Sequence, residues 1–338
     1  MALVEKGNMP KKKQNIIIIS GIVLLSFLLL WLMKSEQKQA ELYNFAVADT
    51  SNISKIFIAD MTGNSISLDR IDNVWQINNT YKVQNRTMKV ILRTIKDISV
   101  QRPVAESAYN KVITDLATNG VKVELYQNNE QKPVKTYTIG NNTADHLGTY
   151  MLLENAEQPY IIHIPGFNGV LGPRYGLQGY IVNSAIWRDK SIFNLKAEQI
   201  SSITLINEKG VDSSFTIKNN DGLLSLFDKN LQEIKVNQEA LFLYLNKYRN
   251  INCESYKDEN IREKLIIENK LYSLILAHQN GTDTLKIYQM RDKSKIRTHE
   301  ENYTVERMYA TLNDGDVMLI QNYVFNKLLI TIEQLKEQ

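Results

Sequence analysis

Ile16 to Met33 reads IIIISGIVLLSFLLLWLM and contains no charged residue. No other stretch constrains the fold and surroundings of this 338-residue chain as strongly. A bilayer core about 30 Å thick takes roughly 20 apolar residues of helix, so the run just spans it. Its only polar interruptions, Ser20 and Ser26, can bond back to helix carbonyls. Ile16, Leu24, Leu30, Trp31 and Met33 mark the expected anchor, with Trp31 at the interface where aromatic rings are favoured. Lys11, Lys12 and Lys13 precede it and, by the positive-inside rule, stay cytoplasmic. The expectation is a cytoplasmic basic tail (1–15), a transmembrane helix (16–33) and a polar stalk (34–51), with all later residues across the membrane.

A cleaved signal peptide is the competing reading. Its apolar region is about 7–15 residues long and ends in small residues. Here the run is longer and ends in Leu30, Trp31, Leu32, Met33 and Lys34; a weak cleavage site lies near Lys38-Gln39-Ala40. These flanks favour an uncleaved anchor.

The anchor also explains the charge. The chain carries 40 Lys+Arg against 37 Asp+Glu, a net +3. Residues 35–338 hold 35 basic and 36 acidic side chains, a net of −1. The excess belongs to the flank of one helix, and the exterior is expected to show no basic stripe and no nucleic-acid partner. One cysteine, Cys253, excludes an intrachain disulfide framework and a cysteine-based zinc cluster.

Beyond the stalk the chain reads twice through one pattern. Ile53-Ser-Lys-Ile-Phe-Ile58, Ser65–Arg70 and Val74–Asn78 alternate as strands. So do Ile200-Ser-Ser-Ile-Thr-Leu205, Ser213–Lys218 and Leu223–Phe227, 147 residues on. Helices are expected over Val83–Ile98 and Val236–Ile251, with Asn85 and Asn237 as N-caps. Shorter helices follow over Ser107–Thr118 and Asp258–Lys264, and each half then returns to four strands. An amphipathic helix over Tyr323–Lys336 closes the chain. The fold class is α+β: a single N-terminal transmembrane helix, then two tandem, duplicated antiparallel-sheet-plus-helix repeats. Their bounds are 52–165 and 199–338, with the Gly-rich connection 166–198 between them.

The two I-x-x-I-x-[I/L] openings, the strand containing Trp75 and Ile77, and Trp187-Arg-Asp-Lys-x-Ile-Phe193 together resemble a bacterial envelope family. It is the domain-of-unknown-function family numbered 4340, and the resemblance covers most of residues 45–300. It implies a periplasm-facing protein of the inner membrane, some members being encoded beside ABC-type transporter components linked to gliding motility. No catalytic residues come with it.

The residues themselves offer little chemistry. His146, His163, His278 and His299 show no ligand spacing, so no metal is expected. Gly166–Gly179 lacks phosphate-loop spacing, and no cofactor is expected. Asp314-Gly315-Asp316 lacks the later acidic ligand of a calcium loop and reads as a hairpin turn. In the connection, Arg174, Tyr175, Tyr180, Trp187, Arg188 and Asp189 are the candidate interaction residues. Seventeen tyrosines suit half-buried sheets, and secondarily a glycan-binding face. The leading expectation is a non-enzymatic accessory or scaffold protein of an envelope complex, with transport, secretion or gliding-type partners. A glycan- or peptidoglycan-binding module is the alternative, and an unrecognised hydrolase stands behind both.

Overall fold

The computed structural model describes residues 26, 43–257, 261–262, 270–291 and 303–337. Apart from position 26, the expected anchor 16–33 lies outside these residues, as do Lys11, Lys12 and Lys13. Among the described residues no helix is long and apolar enough to cross a membrane. The chain divides into two units, the first ending at Asp189 and the second beginning at Lys190.

The first unit runs β1 (Ile53–Ala59), β2 (Ser65–Ile71), β3 (Val74–Ile77), β4 (Tyr81–Lys82), α1 (Asn85–Asp97), β5 (Ser99–Pro103) and α2 (Glu106–Asn119). It continues with β6 (Val121–Gln127), β7 (Lys135–Asn142), β8 (Thr149–Leu153) and β9 (Tyr160–His163), then the short pair β10 (Leu177–Gln178) and β11 (Ile181–Val182). Nine of these strands form one antiparallel sheet in the order β4-β3-β2-β1-β6-β7-β8-β9-β5.

The second unit opens with β12 (Ser191–Phe193), β13 (Ile200–Asn207), β14 (Phe215–Asn220), β15 (Leu223–Asp228), β16 (Glu233–Ile234) and α3 (Gln238–Asn246). After β17 (Ile251–Asn252) and β18 (Ser255–Tyr256) come β19 (Lys270–His278), β20 (Gly281–Arg291), β21 (Tyr303–Leu312) and β22 (Val317–Gln321). The chain closes with α4 (Asn322–Phe325) and α5 (Ile332–Lys336). Its nine-stranded sheet has the order β16-β15-β14-β13-β19-β20-β21-β22-β18, matching the first sheet strand for strand. A separate β12–β17 pair lies outside that sheet.

The I-x-x-I-x-[I/L] openings have a shared physical cause. A regular strand buries every second residue, yet Ile53, Ile56 and Ile58 are all buried. The three-residue step is a β-bulge, where the register of β1 on β6 shifts between Ile53 and Lys55. In β13 the register on β19 shifts between Ile200 and Ser202, which brings Ile200, Ile203 and Leu205 inward. The β2–β3 and β14–β15 turns place Asp72, Asn73, Asp221 and Gly222 at positive φ, as tight hairpins of the primed type require.

The helices depart in detail from expectation. α1 is capped at Gln84, and Asn85 lies inside the helix without making a cap. α3 does start at the Asn237 cap, whose side chain accepts the Glu239 N–H at 3.0 Å. The helix expected over 258–264 falls outside the described residues except at positions 261 and 262. The expected Tyr323–Lys336 helix is two short helices. Thr331 and Gln334 form a reciprocal capping box that starts α5 afresh, with bonds of 2.9 and 3.3 Å.

The segment 166–198, expected to connect the repeats, is divided between their cores. Leu171, Tyr175, Leu177, Val182 and Trp187 belong to the first core, and Ile192, Phe193 and Ala197 to the second. Gly176, at φ +69°, makes this packing possible, because a Cβ there would lie 2.5 Å from the Trp187 indole nitrogen.

Candidate functional site

Most of the expected interaction residues are structural. Tyr175 and Trp187 are each 0% exposed and cannot face a partner. The Tyr175 hydroxyl bonds to that of Tyr137 at 2.8 Å, and burial pushes both phenols well above their ordinary range. Trp187 is held by its backbone: its carbonyl accepts the Gln84 N–H at 2.7 Å. Arg188 bridges to Val83 and lies 3.7 Å from the Tyr81 ring centroid. Asp189 takes an ion pair from Lys82 at 3.5 Å, and its N–H donates to the Lys82 carbonyl at 2.8 Å. The Trp187-Arg188-Asp189 run therefore zips along Lys82–Gln84. The next residue, Lys190, donates from Nζ to the Glu254 carbonyl at 2.8 Å. Tyr180 donates to both carboxylate oxygens of Asp115, at 2.9 and 3.1 Å, and burial together with that acid raises its pKa.

Arg174 is different. It lies beside α1 in a short 3₁₀ turn, Gly172–Tyr175. Its Nε donates to Thr94 Oγ1 at 2.8 Å, and its guanidinium lies 4.8 Å from the Phe167 ring centroid. Thr94 is 0% exposed and donates its own proton to the Val90 carbonyl at 2.7 Å. Its oxygen thus presents an acceptor to Arg174 from inside the helix.

The outer face of α1 supplies more cations. Arg86, Lys89 and Arg93 are exposed, and their three- and four-residue spacing puts them on one side. Met88, Ile91 and Ile95 are buried on the other. Two adjoining clefts, about 480 and 490 Å³, share Arg93 and Arg174. Arg86, Lys89 and Val90 complete one; Asp97 and the 164–167 turn complete the other. Arg93 pairs with Asp97 at 3.2 Å. Arg86, Lys89 and Arg174 make no ion pair among the described residues. The expectation of an exterior without a basic stripe is corrected here: a near-zero net charge leaves room for a local cluster.

The 86/89/93 spacing was legible in the sequence, though apolar periodicity alone passes over it. Thr94 and Arg174 are 80 positions apart, and no local signal joins them. The wall is rich in hydrogen-bond donors, with Asp97 as its one carboxylate. It is suited to holding an anion rather than to nucleophilic or general-base chemistry.

Asp60 forms a second polar centre that sequence reasoning missed. It is 9% exposed, and accepts from Thr62 N–H and Oγ1, Asn64 N–H and Nδ2, and Val182 N–H at 2.7–3.0 Å. Burial alone would raise its pKa, but these donors outweigh it and hold the carboxyl far below the usual carboxylate range. It ties the β1–β2 turn to β11, a structural role.

Several tyrosines counted towards a sugar-binding face are buried. Tyr137, Tyr175, Tyr244 and Tyr248 are each 0% exposed. Among the described residues no three His, Cys, Asp or Glu side chains gather as a metal site. His278 faces Asp283 at 3.1 Å. Comparison with curated proteins and with solved structures gives no match. The sequence model of one family, described as "Domain of unknown function (DUF4340)", matches residues 75–270, from Trp75 in β3 to Lys270 at the start of β19. That match takes in more than half of the chain and both of its units, and the protein belongs to this family.

Proposed function

We propose that this protein is a non-catalytic, single-pass accessory protein of a bacterial inner membrane. Its two repeated sheet units face the periplasm and bind protein partners of a transport, secretion or gliding-type envelope complex. The observation that carries this reading is the charge-free run Ile16–Met33 behind Lys11, Lys12 and Lys13, ahead of two β-rich units. The anchor would hold both units close to a membrane partner and raise their effective concentration there. The resemblance of the two isoleucine-rich openings and the Trp187–Phe193 run to a bacterial envelope family supports the same setting.

The test is expression of the full chain with a C-terminal alkaline phosphatase reporter, followed by in-cell crosslinking and affinity purification. The expected results are reporter activity, retention in the membrane after alkaline carbonate extraction, and reproducible crosslinks to an envelope membrane protein. A full-length fusion whose reporter is inactive would end the topology, because alkaline phosphatase forms its disulfides only outside the cytoplasm. Recovery of the chain solely as an uncrosslinked monomer would end the partner-binding role.

A further inference from the structure

We infer that the outer face of α1, together with Arg174, forms a binding site for a phosphate-bearing ligand. This goes beyond a partner-binding role and does not depend on the anchor.

Three observations meet at one place. The first is composition: three arginines and a lysine line the adjoining clefts, and Asp97 compensates one of them through Arg93. The second is orientation. Arg174 is pinned from two directions, by Thr94 Oγ1 on its Nε and by the Phe167 ring on its face. That leaves Nη1 and Nη2 without a hydrogen-bond partner among the described residues. A fixed guanidinium loses little freedom when it binds, which favours a ligand that accepts from its paired donors.

The third observation is energetic. Arg86 sits in the first turn of α1, which holds no acidic residue. Cations there oppose the helix dipole, and neighbouring cations at three- and four-residue spacing repel. The charges of Arg86 and Lys89 therefore cost the helix some stability, and an anion bound across them would relieve both costs.

The charge chooses the ligand class. A carboxylate has one negative charge and two acceptor oxygens, so it would leave most of this wall unsatisfied. With Arg93 paired, Arg86, Lys89 and Arg174 remain to be balanced. A phosphate group offers up to two charges and three or four acceptor oxygens. Arg174 is the anchoring donor, Arg86 and Lys89 supply charge at the rim, and Thr94 is a positioning residue. Such a phosphate can be a free anion or the phosphomonoester headgroup of a lipid, and the experiment separates them.

The full chain in neutral detergent is titrated by calorimetry with inorganic phosphate, and separately with dihexanoyl phosphatidic acid, a phosphomonoester, below its micelle concentration. Wild type is expected to bind at least one of them, with affinity falling as salt rises. Tighter binding of the lipid assigns the headgroup; binding of inorganic phosphate alone assigns the free anion. Arg174→Gln is expected to weaken binding by about tenfold or more, the size of one charge-assisted hydrogen bond. Thr94→Val keeps the buried volume but removes the acceptor for Nε, and should weaken binding without changing its salt dependence.

Lys122→Gln, on the distant strand β6, serves as the control and should leave affinity unchanged. If Arg174→Gln fails to fold, the exposed double variant Arg86→Gln/Lys89→Gln decides, with an expected loss of the same order. Absence of binding by either probe at low salt overturns the assignment. So does an affinity that these variants leave unchanged.

Discussion

α1 and α3 follow the fourth strand of two sheets with the same strand order, yet they present opposite surfaces. Where α1 exposes Arg86, Lys89 and Arg93, the corresponding turns of α3 carry Glu239, Phe242 and Asn246. Phe242 and its neighbour Leu243 are 44% and 49% exposed. The buried faces remain alike, with Met88, Ile91 and Ile95 in one and Leu241, Tyr244 and Leu245 in the other. The two cores share one architecture while the outer faces differ, as expected when packing constrains only the inner side.

The same contrast recurs at the end of the first strand. Asp60 and Asn207 stand 147 positions apart, and each accepts the N–H two residues on, at 2.9 Å from Thr62 and 3.1 Å from Lys209. Only the first is a carboxylate, and only it reaches a distant N–H, that of Val182. Both cores also hold a crossed tyrosine pair. Tyr137 and Tyr175 have ring centroids 6.1 Å apart at 80°, while Tyr244 and Tyr248 lie 5.6 Å apart at 82°. The first pair joins residues 38 apart; the second joins residues four apart, Tyr244 in α3 and Tyr248 just past its end. Similar interiors have been reached through different connections.

Five substitutions probe the contrast between the two units. The largest effect is expected from Trp187→Ala, which removes a fully buried indole from the first core. It should destabilise that unit by about 3–5 kcal/mol. Hydrogen exchange on the full chain should show protection falling in β1–β9 and unchanged in β13–β22; an equal fall in both would refute independence.

Asp60→Asn comes next, at about 2–3 kcal/mol, because a buried charged acceptor is replaced by an amide whose NH₂ opposes donors. The pH dependence follows from the sign of the shift. The Asp60 carboxyl is held below its unfolded value, so its contribution is present above pH about 4 and is lost as pH falls towards the folded value. Acid titration of urea midpoints should show this loss in wild type and not in Asp60→Asn. The neutral Asn207 makes no such contribution to the second unit.

Tyrosine-to-phenylalanine changes sharpen the contrast further. Tyr244 donates to the Leu328 carbonyl at 2.7 Å, so the Tyr248 hydroxyl must donate to Tyr244, at 2.9 Å. Tyr244→Phe orphans two groups and should cost about 2 kcal/mol, against about 1 kcal/mol for Tyr175→Phe. Equal costs in denaturant melts would argue against that directed chain. The smallest effect belongs to the helix faces. Arg86→Glu should stabilise the first unit by about 0.5 kcal/mol, since it restores an acid to the first turn of α1. A small rise in its urea midpoint would register this gain.

Much of this architecture was legible locally. Alternation marks β1–β3 and β13–β15, and the three-residue step that the bulge produces stands in the isoleucine motif itself. Asn237 announced the start of α3, because an asparagine side chain satisfies a first-turn N–H by itself. Where expectation failed, a competing local interaction or a distant partner won. The Thr331–Gln334 capping box restarted the terminal helix. The Gly-rich stretch looked like a linker because glycine suits loops, but Gly176 serves to admit the Trp187 indole.

Strand and helix periods, the charge-free run Ile16–Met33 and the twofold pattern are properties of neighbouring residues, so the sequence by itself determined them. Tertiary structure alone decided which polar groups meet. Thr94 finds Arg174 across 80 positions, and Asp60 finds Val182 across 122. Hydrogen bonds act over about 3 Å, and sequence separation carries no information about contacts that only the folded sheet brings within that range.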